Sequence, residues 1–280
     1  MPTTLTNTVV DDGSSDATQA CVAAFTDPRI RYISMAVNVG KSAAANAAAQ
    51  AALGEWLMFA DSDDRSRPER LALQLNATEE QSSVDGVFAR TVFVDDDEQT
   101  TEHCFPAVER DISGPIALSD LLHHSPVGGG SLLVRRSAFN RIGGFDERLR
   151  KAEDLDFAIR FVQRFLLIGQ NEIIIECRIS ADGMTQNPNP VSLSRLIERH
   201  QHLYRAHAPK RLAYLYREAG DEFQQIGNHR AASCLYRRAL YLRPNRVNCD
   251  RLINASSHRW VLRWPIRALA RILKLYRRSI

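Results

Sequence analysis

Long apolar runs are missing from this 280-residue chain. No stretch approaches the roughly 18 uninterrupted apolar residues of a membrane span, so any membrane contact is expected to be peripheral. Cysteine is sparse and scattered. Cys21, Cys104, Cys177, Cys234 and Cys249 never form a CxxC pair, which argues against a zinc ribbon or a disulfide framework. Reduced thiols in a cytoplasmic protein are the simpler reading. The N-terminus MPTTLTNTVV lacks a basic stretch leading into an apolar one and is read as carrying no secretory signal. Compositional extremes are lacking too. With 44% hydrophobic and 25% charged residues, the chain is neither disordered nor fibrous. Its length suits one large domain or two modest ones.

The net charge of +3 conceals an uneven distribution. Residues 251–280 hold eight basic side chains and no acidic one, which leaves 28 basic against 33 acidic, a balance of −5, on residues 1–250. A mildly acidic body therefore carries a strongly basic tail. Within the tail, Arg259, Arg263, Arg267, Arg271, Lys274 and Arg278 recur at three- and four-residue intervals, one face of a helix. Trp260, Leu262, Trp264, Ile266, Leu269, Ile272, Leu273 and Tyr276 fill most of the remainder. A basic amphipathic helix over 251–280 suits peripheral contact with an anionic membrane; a docked helix with a solvated basic stripe is the plainer alternative. Nucleic acid is not expected, since the body is acidic and no recognised reader motif accompanies the tail.

Up to about residue 180, short apolar runs alternate with helical patterns. Thr8–Val10, Ile30–Ser34, Trp56–Ala60, Val87–Val94, Ser131–Val134 and Ile173–Cys177 read as strands, with Ala-rich helices at Ala17–Phe25 and Lys41–Leu53 between the first three. This order predicts an α/β fold with a mostly parallel sheet. Asp95–Pro115 reads as a long loop or a short hairpin. Asn187-Pro188-Asn189-Pro190 is a strong breaker, and domains over 1–188 and 191–250 are expected on either side. The second is all helical. In Ala213–Arg246, Tyr216, Ala219, Gly220, Phe223, Ala232, Tyr236, Ala239 and Pro244 fall where a helical hairpin needs small residues and aromatics, with the turn at Gly227-Asn228. The spacing resembles one tetratricopeptide repeat. A single unit cannot bury its own face, so it is expected to pack on the first domain or on a partner.

Three acidic clusters stand at the ends of predicted elements. In Val9-Val10-Asp11-Asp12-Gly13-Ser14-Ser15-Asp16 a strand ends in two acids, at the strand end where α/β sheets bind ligands; a capped turn is the alternative. In Phe59-Ala60-Asp61-Ser62-Asp63-Asp64 an apolar strand runs into three acids within four residues. Their repulsion calls for solvent, basic partners or a cation. A hard divalent ion completed by substrate phosphates answers that need, as does a solvated acidic turn. In Ala152-Glu153-Asp154-Leu155-Asp156 two acids open a helix. The helix dipole explains one of them, while a carboxylate at a pocket edge could deprotonate a hydroxyl.

Together these segments resemble family 2 glycosyltransferases of the GT-A fold. The matching stretches are VVDDGSSD, NVGKSAAANAAAQAALGEW from Asn38, FADSDD from Phe59, SLLVRRSAFNRIGGFDE from Ser131 and AEDLDFAIR from Ala152, in order and register over about residues 8–180. The resemblance implies a Rossmann-like nucleotide-diphospho-sugar domain with an all-helical C-terminal extension. By position it implies that Asp11 and Asp12 contact the base of a nucleotide donor, a UDP-sugar above all. Asn38, Gly40 and Lys41 would flank that base, with Lys41 a donor to it, and Asp61 would lie near the ribose. Asp63 would coordinate Mn2+ or Mg2+, with Asp61 and Asp64 at the metal site. Asp154 would be the general base beside Glu153, and Gly128–Ser131 with Gly143-Gly144 would line the acceptor side. The implied reaction is inverting transfer to a glycan or lipid-linked hydroxyl, in surface polysaccharide or glycoconjugate synthesis at the inner face of the cell membrane.

The pattern also implies features this sequence departs from. Relatives place a first strand and helix before VVDDGS, where only Met1–Thr8 precede it here. A misassigned start or a gene fragment is the favoured explanation and a degenerate protein the third, with two exposed or newly joined strand edges the expected consequence. Many relatives carry Arg before the helix Asn, where this chain has Ala45-Asn46; Lys41 is expected to supply the charge. A non-catalytic nucleotide-sugar-binding or scaffold protein is the competing function.

Overall fold

The computed structural model describes residues 5–94, 100–178 and 188–255. It divides into two compact units, Met1–Ala181 and Asp182–Ile280.

In the first unit, strands β1 (Asn7–Asp11) and β2 (Ile30–Ser34) flank helix α1 (Thr18–Ala23). Helix α2 (Lys41–Ala51) leads to β3 (Trp56–Met58) and β4 (Asp64–Ser66), and helix α3 (Arg70–Glu80) to β5 (Gly86–Val94) and β6 (Thr100–Phe105). The short β7 (Gly114–Pro115), helix α4 (Leu118–His124) and a 3-10 turn at Gly129–Ser131 precede β8 (Leu133–Arg135). Helices α5 (Arg136–Ile142) and α6 (Glu153–Phe161) and the long β9 (Leu167–Arg178) complete it.

The α/β expectation holds, but the sheet is not the mostly parallel one predicted. β1 and β2 form a parallel two-stranded sheet of their own. The other seven strands form a mixed sheet whose main path is β3-β8-β5-β9-β4, with β6 beside β5 and β7 beside β9. Only β5 and β9 run parallel within it. β8 inserts antiparallel between β3 and β5, and β4, β6 and β7 add further antiparallel pairs on β9 and β5. The Asp95–Pro115 segment includes β6, which returns antiparallel along β5 as a hairpin.

Apolar side chains fix this arrangement. β5 (GVFARTVFV) is buried on both faces, with Val87 and Phe88 fully excluded from water, as a central strand requires. Phe59, Phe139, Phe145, Phe157, Phe161 and Phe165 form a chain of rings with neighbouring centroids 5.0–5.4 Å apart. Each buried ring contributes about 1.5–3 kcal/mol from area alone. The chain of rings holds the end of β3 against α5 and α6. Helix α2 is rich in alanine, a strong helix former with little bulk. Its buried stripe is Ser42, Asn46 and Ala49. Asn46 Nδ2 donates to the Phe145 carbonyl, and its Oδ1 accepts the Phe145 N–H.

The second unit contains four described helices, α7 (Pro190–His207), α8 (Pro209–Gln225), α9 (His229–Leu242) and α10 (Arg246–Ala255). Asn189, Asn228 and Asn245 cap α7, α9 and α10, each side chain accepting an amide N–H three residues on. Pro190 begins α7 and Pro209 begins α8, at helix positions that need no N–H partner. The hairpin predicted to need an outside surface finds cover within its own unit. α10 packs on α9, burying Ala232, Tyr236, Leu240, Cys249, Leu252 and Ala255 together, and Phe223 of α8 packs against them. The basic segment 259–278 lies outside the described residues. Among those described, no helix is long and apolar enough to cross a membrane.

Candidate functional site

The first acidic cluster shapes two neighbouring loops. β1 ends at Asp11, which is buried; one carboxylate oxygen accepts the Ser14 N–H at 2.7 Å and the other the Tyr32 hydroxyl of β2. The Tyr32 hydroxyl above all, with Ser14, lowers its pKa. Asp12 reaches across the loop, its two oxygens accepting the Val39 and Gly40 N–H groups, each at 2.7 Å. Gly13 adopts φ +75°, and a Cβ there would lie 2.8 Å from the Asn38 nitrogen. The VVDDGS turn and the Asn38–Lys41 segment are thus in direct contact. Arg150 joins them by donating to Asn38 Oδ1 at 3.2 Å.

The other two clusters meet at Lys41, the first residue of α2. Its ammonium lies 2.7 Å from Asp61 Oδ2 and 3.8 Å from Glu153 Oε1. Burial by itself would lower the Lys41 pKa, but Asp61 and Glu153 outweigh it and the net shift is upward. The side chain predicted to donate to a base is turned here toward the carboxylates.

Glycines form the floor between these carboxylates. A Cβ on Gly129 would stand 3.3 Å from Asp154 Cβ, and one on Gly130 would stand 3.2 Å from Asp61 Oδ2 and 3.5 Å from Asp64 Oδ2. Gly128 lies beside the half-exposed Phe105 ring, 3.7 Å from where its Cβ would be. Side chains at Gly129 and Gly130 would crowd these acids. The Gly129 N–H donates to Asp154 Oδ2 at 3.1 Å, so the glycine strip also orients that carboxylate. In the Gly143-Gly144 turn, Gly143 faces open space and Gly144 abuts α2, where a Cβ would be 2.5 Å from Asn46 Oδ1.

Burial raises the carboxyl pKa of Asp154, and it raises that of Glu153 together with the adjacent Asp154 charge; Lys41 pulls both back down. Ala152, immediately before them, has φ +62°, left-handed backbone that is rare for a residue with a Cβ. Such strain collects at functional positions. Asp64 is raised by burial and lowered by its contact with the Cys177 thiol. That thiol is itself pushed up to about 12 by burial and Asp64. Asp63 is exposed at the rim.

Two partners of the cluster were hidden in the sequence. Cys177 reads there as one more scattered thiol, yet β9 pairs it with Asp64. Arg70 belongs to none of the motifs in the sequence, but it is 1% exposed, and burial lowers its pKa to about 10 against the pull of Asp61 and Asp64. A polar stripe of Arg70, Gln74 and Thr78 on the buried face of α3 was the available signal.

The carboxylates suit a hard cation. Among the described residues, no three His, Cys, Asp or Glu side chains are spaced to close around an ion. Magnesium-like ions need no such cage, because one or two carboxylates plus substrate phosphates and water suffice. Asp61 and Asp64, both facing Gly130, with Asp63 at the rim, match that donor chemistry.

The glycosyl transferase family 2 model matches residues 4–143, half of the chain. This chain belongs to glycosyl transferase family 2. The family match covers the three loops that carry Asp11, Lys41 and Asp61. Among curated relatives, the succinoglycan biosynthesis protein ExoO of Rhizobium meliloti (strain 1021) is 54% identical over 63 residues, which are 22% of this chain and 18% of that protein. The uncharacterized glycosyltransferase RP339 of Rickettsia prowazekii (strain Madrid E) is 26% identical over 178 residues, 63% of this chain and 55% of that one. The chain thus spans less than two thirds of either relative. The crystal structure of S. aureus TarS 1-349 aligns with a TM-score of 0.51 at 16% identity, covering 89% of this chain and 68% of that one. At that identity the likeness concerns the fold.

Proposed function

We propose that this protein transfers a sugar from a nucleoside diphosphate donor, with a UDP-sugar favoured, to a hydroxyl of a growing surface polysaccharide. The observation that carries this reading is the meeting of Asp61, Asp64, Glu153 and Asp154 around Lys41 and the glycine strip. The polysaccharide assignment rests on the short but close match to ExoO.

In this reading the loops joined by Asp12 hold the nucleoside, with Asp11, Asn38 and Gly40 shaping the base pocket. Asp61, Asp63 and Asp64 would hold Mn2+ or Mg2+, which when bound offsets charge growing on the diphosphate. Lys41 holds the Asp61 carboxylate in place through their 2.7 Å ion pair. Asp154 takes the proton of the acceptor hydroxyl while that oxygen attacks the anomeric carbon and the bond to the diphosphate breaks. One displacement from the opposite face inverts the configuration, and no carboxylate nucleophile is needed. The raised pKa of Asp154 makes it a stronger base than an ordinary aspartate. The Gly129 N–H keeps it aimed.

Calorimetric titration with UDP and Mn2+ tests the donor site, and transfer from a panel of UDP-sugars tests the reaction. Asp154→Asn should reduce transfer by about 100- to 10,000-fold, the range for a general base, with UDP affinity little changed. Parallel loss of binding and turnover would remove Asp154 from that role. Binding without any transfer would assign the chain to the non-catalytic alternative. The basic segment 259–278 would hold the enzyme at the anionic inner face of the membrane, near a lipid-linked or glycan acceptor.

A further inference from the structure

The β3–β8 ladder ends just where the site begins. Met58 pairs with Leu133, and the Phe59 N–H donates to the Leu132 carbonyl at 3.1 Å as the last rung. Beyond it lie Asp61 on one chain and Gly129-Gly130 on the other. These must stay close, because Gly130 faces Asp61 and Asp64 while Gly129 holds Asp154.

Arg70 supplies the connection. Its Nη2 donates to the Phe59 carbonyl at 2.7 Å and to the Gly130 carbonyl at 2.6 Å. Its Nη1 donates to Ser66 Oγ at 2.9 Å, just past Asp64, and its Nε to Gln74 Oε1 at 3.2 Å. Gln74, one helical turn on and fully buried, donates through Nε2 to the Ser131 carbonyl at 2.8 Å and the Val87 carbonyl at 3.3 Å. One guanidinium therefore holds the residues before Asp61, those after Asp64 and the glycine strip, while Gln74 ties the strip to β5. A buried cation is costly unless paired and fully hydrogen-bonded. Arg70 offsets that cost with four hydrogen bonds to fixed acceptors and with the charges of the nearby Asp61 and Asp64.

We propose that Arg70, braced by Gln74, is the positioning residue of the site: it sets the spacing between the Asp61–Asp64 turn and the glycine strip that aims Asp154. A lysine could satisfy part of the charge but could not present the same planar fork to four acceptors on four segments. The structural claim stands apart from the reaction, and only its nucleotide and turnover arms rest on the glycosyltransferase reading.

Hydrogen exchange on the full chain tests the claim directly, comparing wild type, Arg70→Lys, Arg70→Met and Gln74→Leu. The Phe59, Asp64, Gly129, Ser131 and Leu132 amides, all hydrogen-bonded here, are the reporters. In Arg70→Lys they should exchange about tenfold faster or more, the size expected for losing charge-assisted hydrogen bonds. Amides of β5, β9 and the helical unit should not change. Gln74→Leu should loosen Ser131 and Leu132 selectively, which preserves the test if Arg70→Met does not fold. With UDP and Mn2+, Arg70→Lys should bind at least about tenfold more weakly while still unfolding cooperatively, and Arg70→Met should be worse. Its turnover should fall by about 100-fold, as expected for a misplacement near 1 Å, with a smaller rise in acceptor KM. Even loosening throughout the first unit, or none at the reporter amides, would overturn the proposal. Selective loosening with wild-type nucleotide affinity and turnover would overturn it as well. If wild type itself takes up no UDP, the nucleotide reading fails and the exchange pattern still decides the role of Arg70.

Discussion

Lys41 shows how a single side chain can govern several acids. It lies between Asp61 and Glu153, and its charge lowers the proton affinity of Glu153 and Asp154, which burial raises. Replacing it with methionine removes the charge and keeps most of the volume. Both carboxyls should then hold their protons to higher pH. A base must be ionised to act, so the acid limb of the pH–rate profile of Lys41→Met should move upward by on the order of one pH unit. Stability carries the same sign. Asp154 has a higher pKa folded than unfolded, so between those two values the native state binds more protons. Its contribution is then fully favourable below the ordinary aspartate pKa and declines as pH rises through the folded one. Lys41→Met should steepen that decline. Turnover against pH and thermal melting at several pH values check both effects, and coincident wild-type and variant limbs would show that Lys41 does not tune the base.

At the scale of elements, legibility followed the number of faces a segment buries. β1, β2, α2 and β5 were readable because their apolar or Ala-rich runs stand between clear turns. β9 is longer than its apolar run: Gln170, Asn171 and Glu172 interrupt that run, yet the strand spans twelve residues and pairs with β5, β4 and β7. Asn171 explains the interruption, since its Oδ1 accepts from the buried Arg90 and from the Ile112 N–H, tying the loop before β7 to the sheet. The acids that converge were visible as clusters, but the cation beneath them was not. Arg70 lies on a helix whose buried stripe is polar, contrary to the amphipathic pattern that reading relies on. The helical hairpin was legible through its small residues, and it offers a clean test. A Cβ on Gly220 would fall 2.6 Å from Tyr236 Cε1, and the Tyr236 hydroxyl donates to Asp221. Gly220→Ala should therefore cost the helical unit about 1–3 kcal/mol of overpacking, less the modest helix-propensity gain of alanine. Denaturant unfolding followed by helical circular dichroism reads that loss, while UDP titration of the first unit should not change. An unchanged unfolding midpoint would mean that the two helices separate freely at Gly220.

For the whole molecule, charge matters more than its modest sum suggests. Residues 1–250 carry a balance of −5 and the last thirty carry eight positive charges with none opposing. An anionic bilayer repels the first part weakly and attracts the second, at about 1 kcal/mol for each basic residue near the surface. The attraction is screened within about 10 Å at 0.1 M salt. Trp260, Trp264 and Tyr276 would add contacts that salt does not weaken. The full chain should therefore sediment with vesicles containing phosphatidylglycerol and not with pure phosphatidylcholine. Raising salt from about 0.1 to about 0.5 M should release most but not all of it. Changing Arg259, Arg263, Arg267 and Arg271 to glutamine should remove the salt-sensitive part, and changing Trp260 and Trp264 to serine the remainder. UDP titration should be indifferent to either set, because the proposed nucleotide site draws only on residues 11–177. Equal binding to neutral vesicles, or binding that the four arginines do not affect, would exclude an electrostatic anchor and leave the tail without a membrane role.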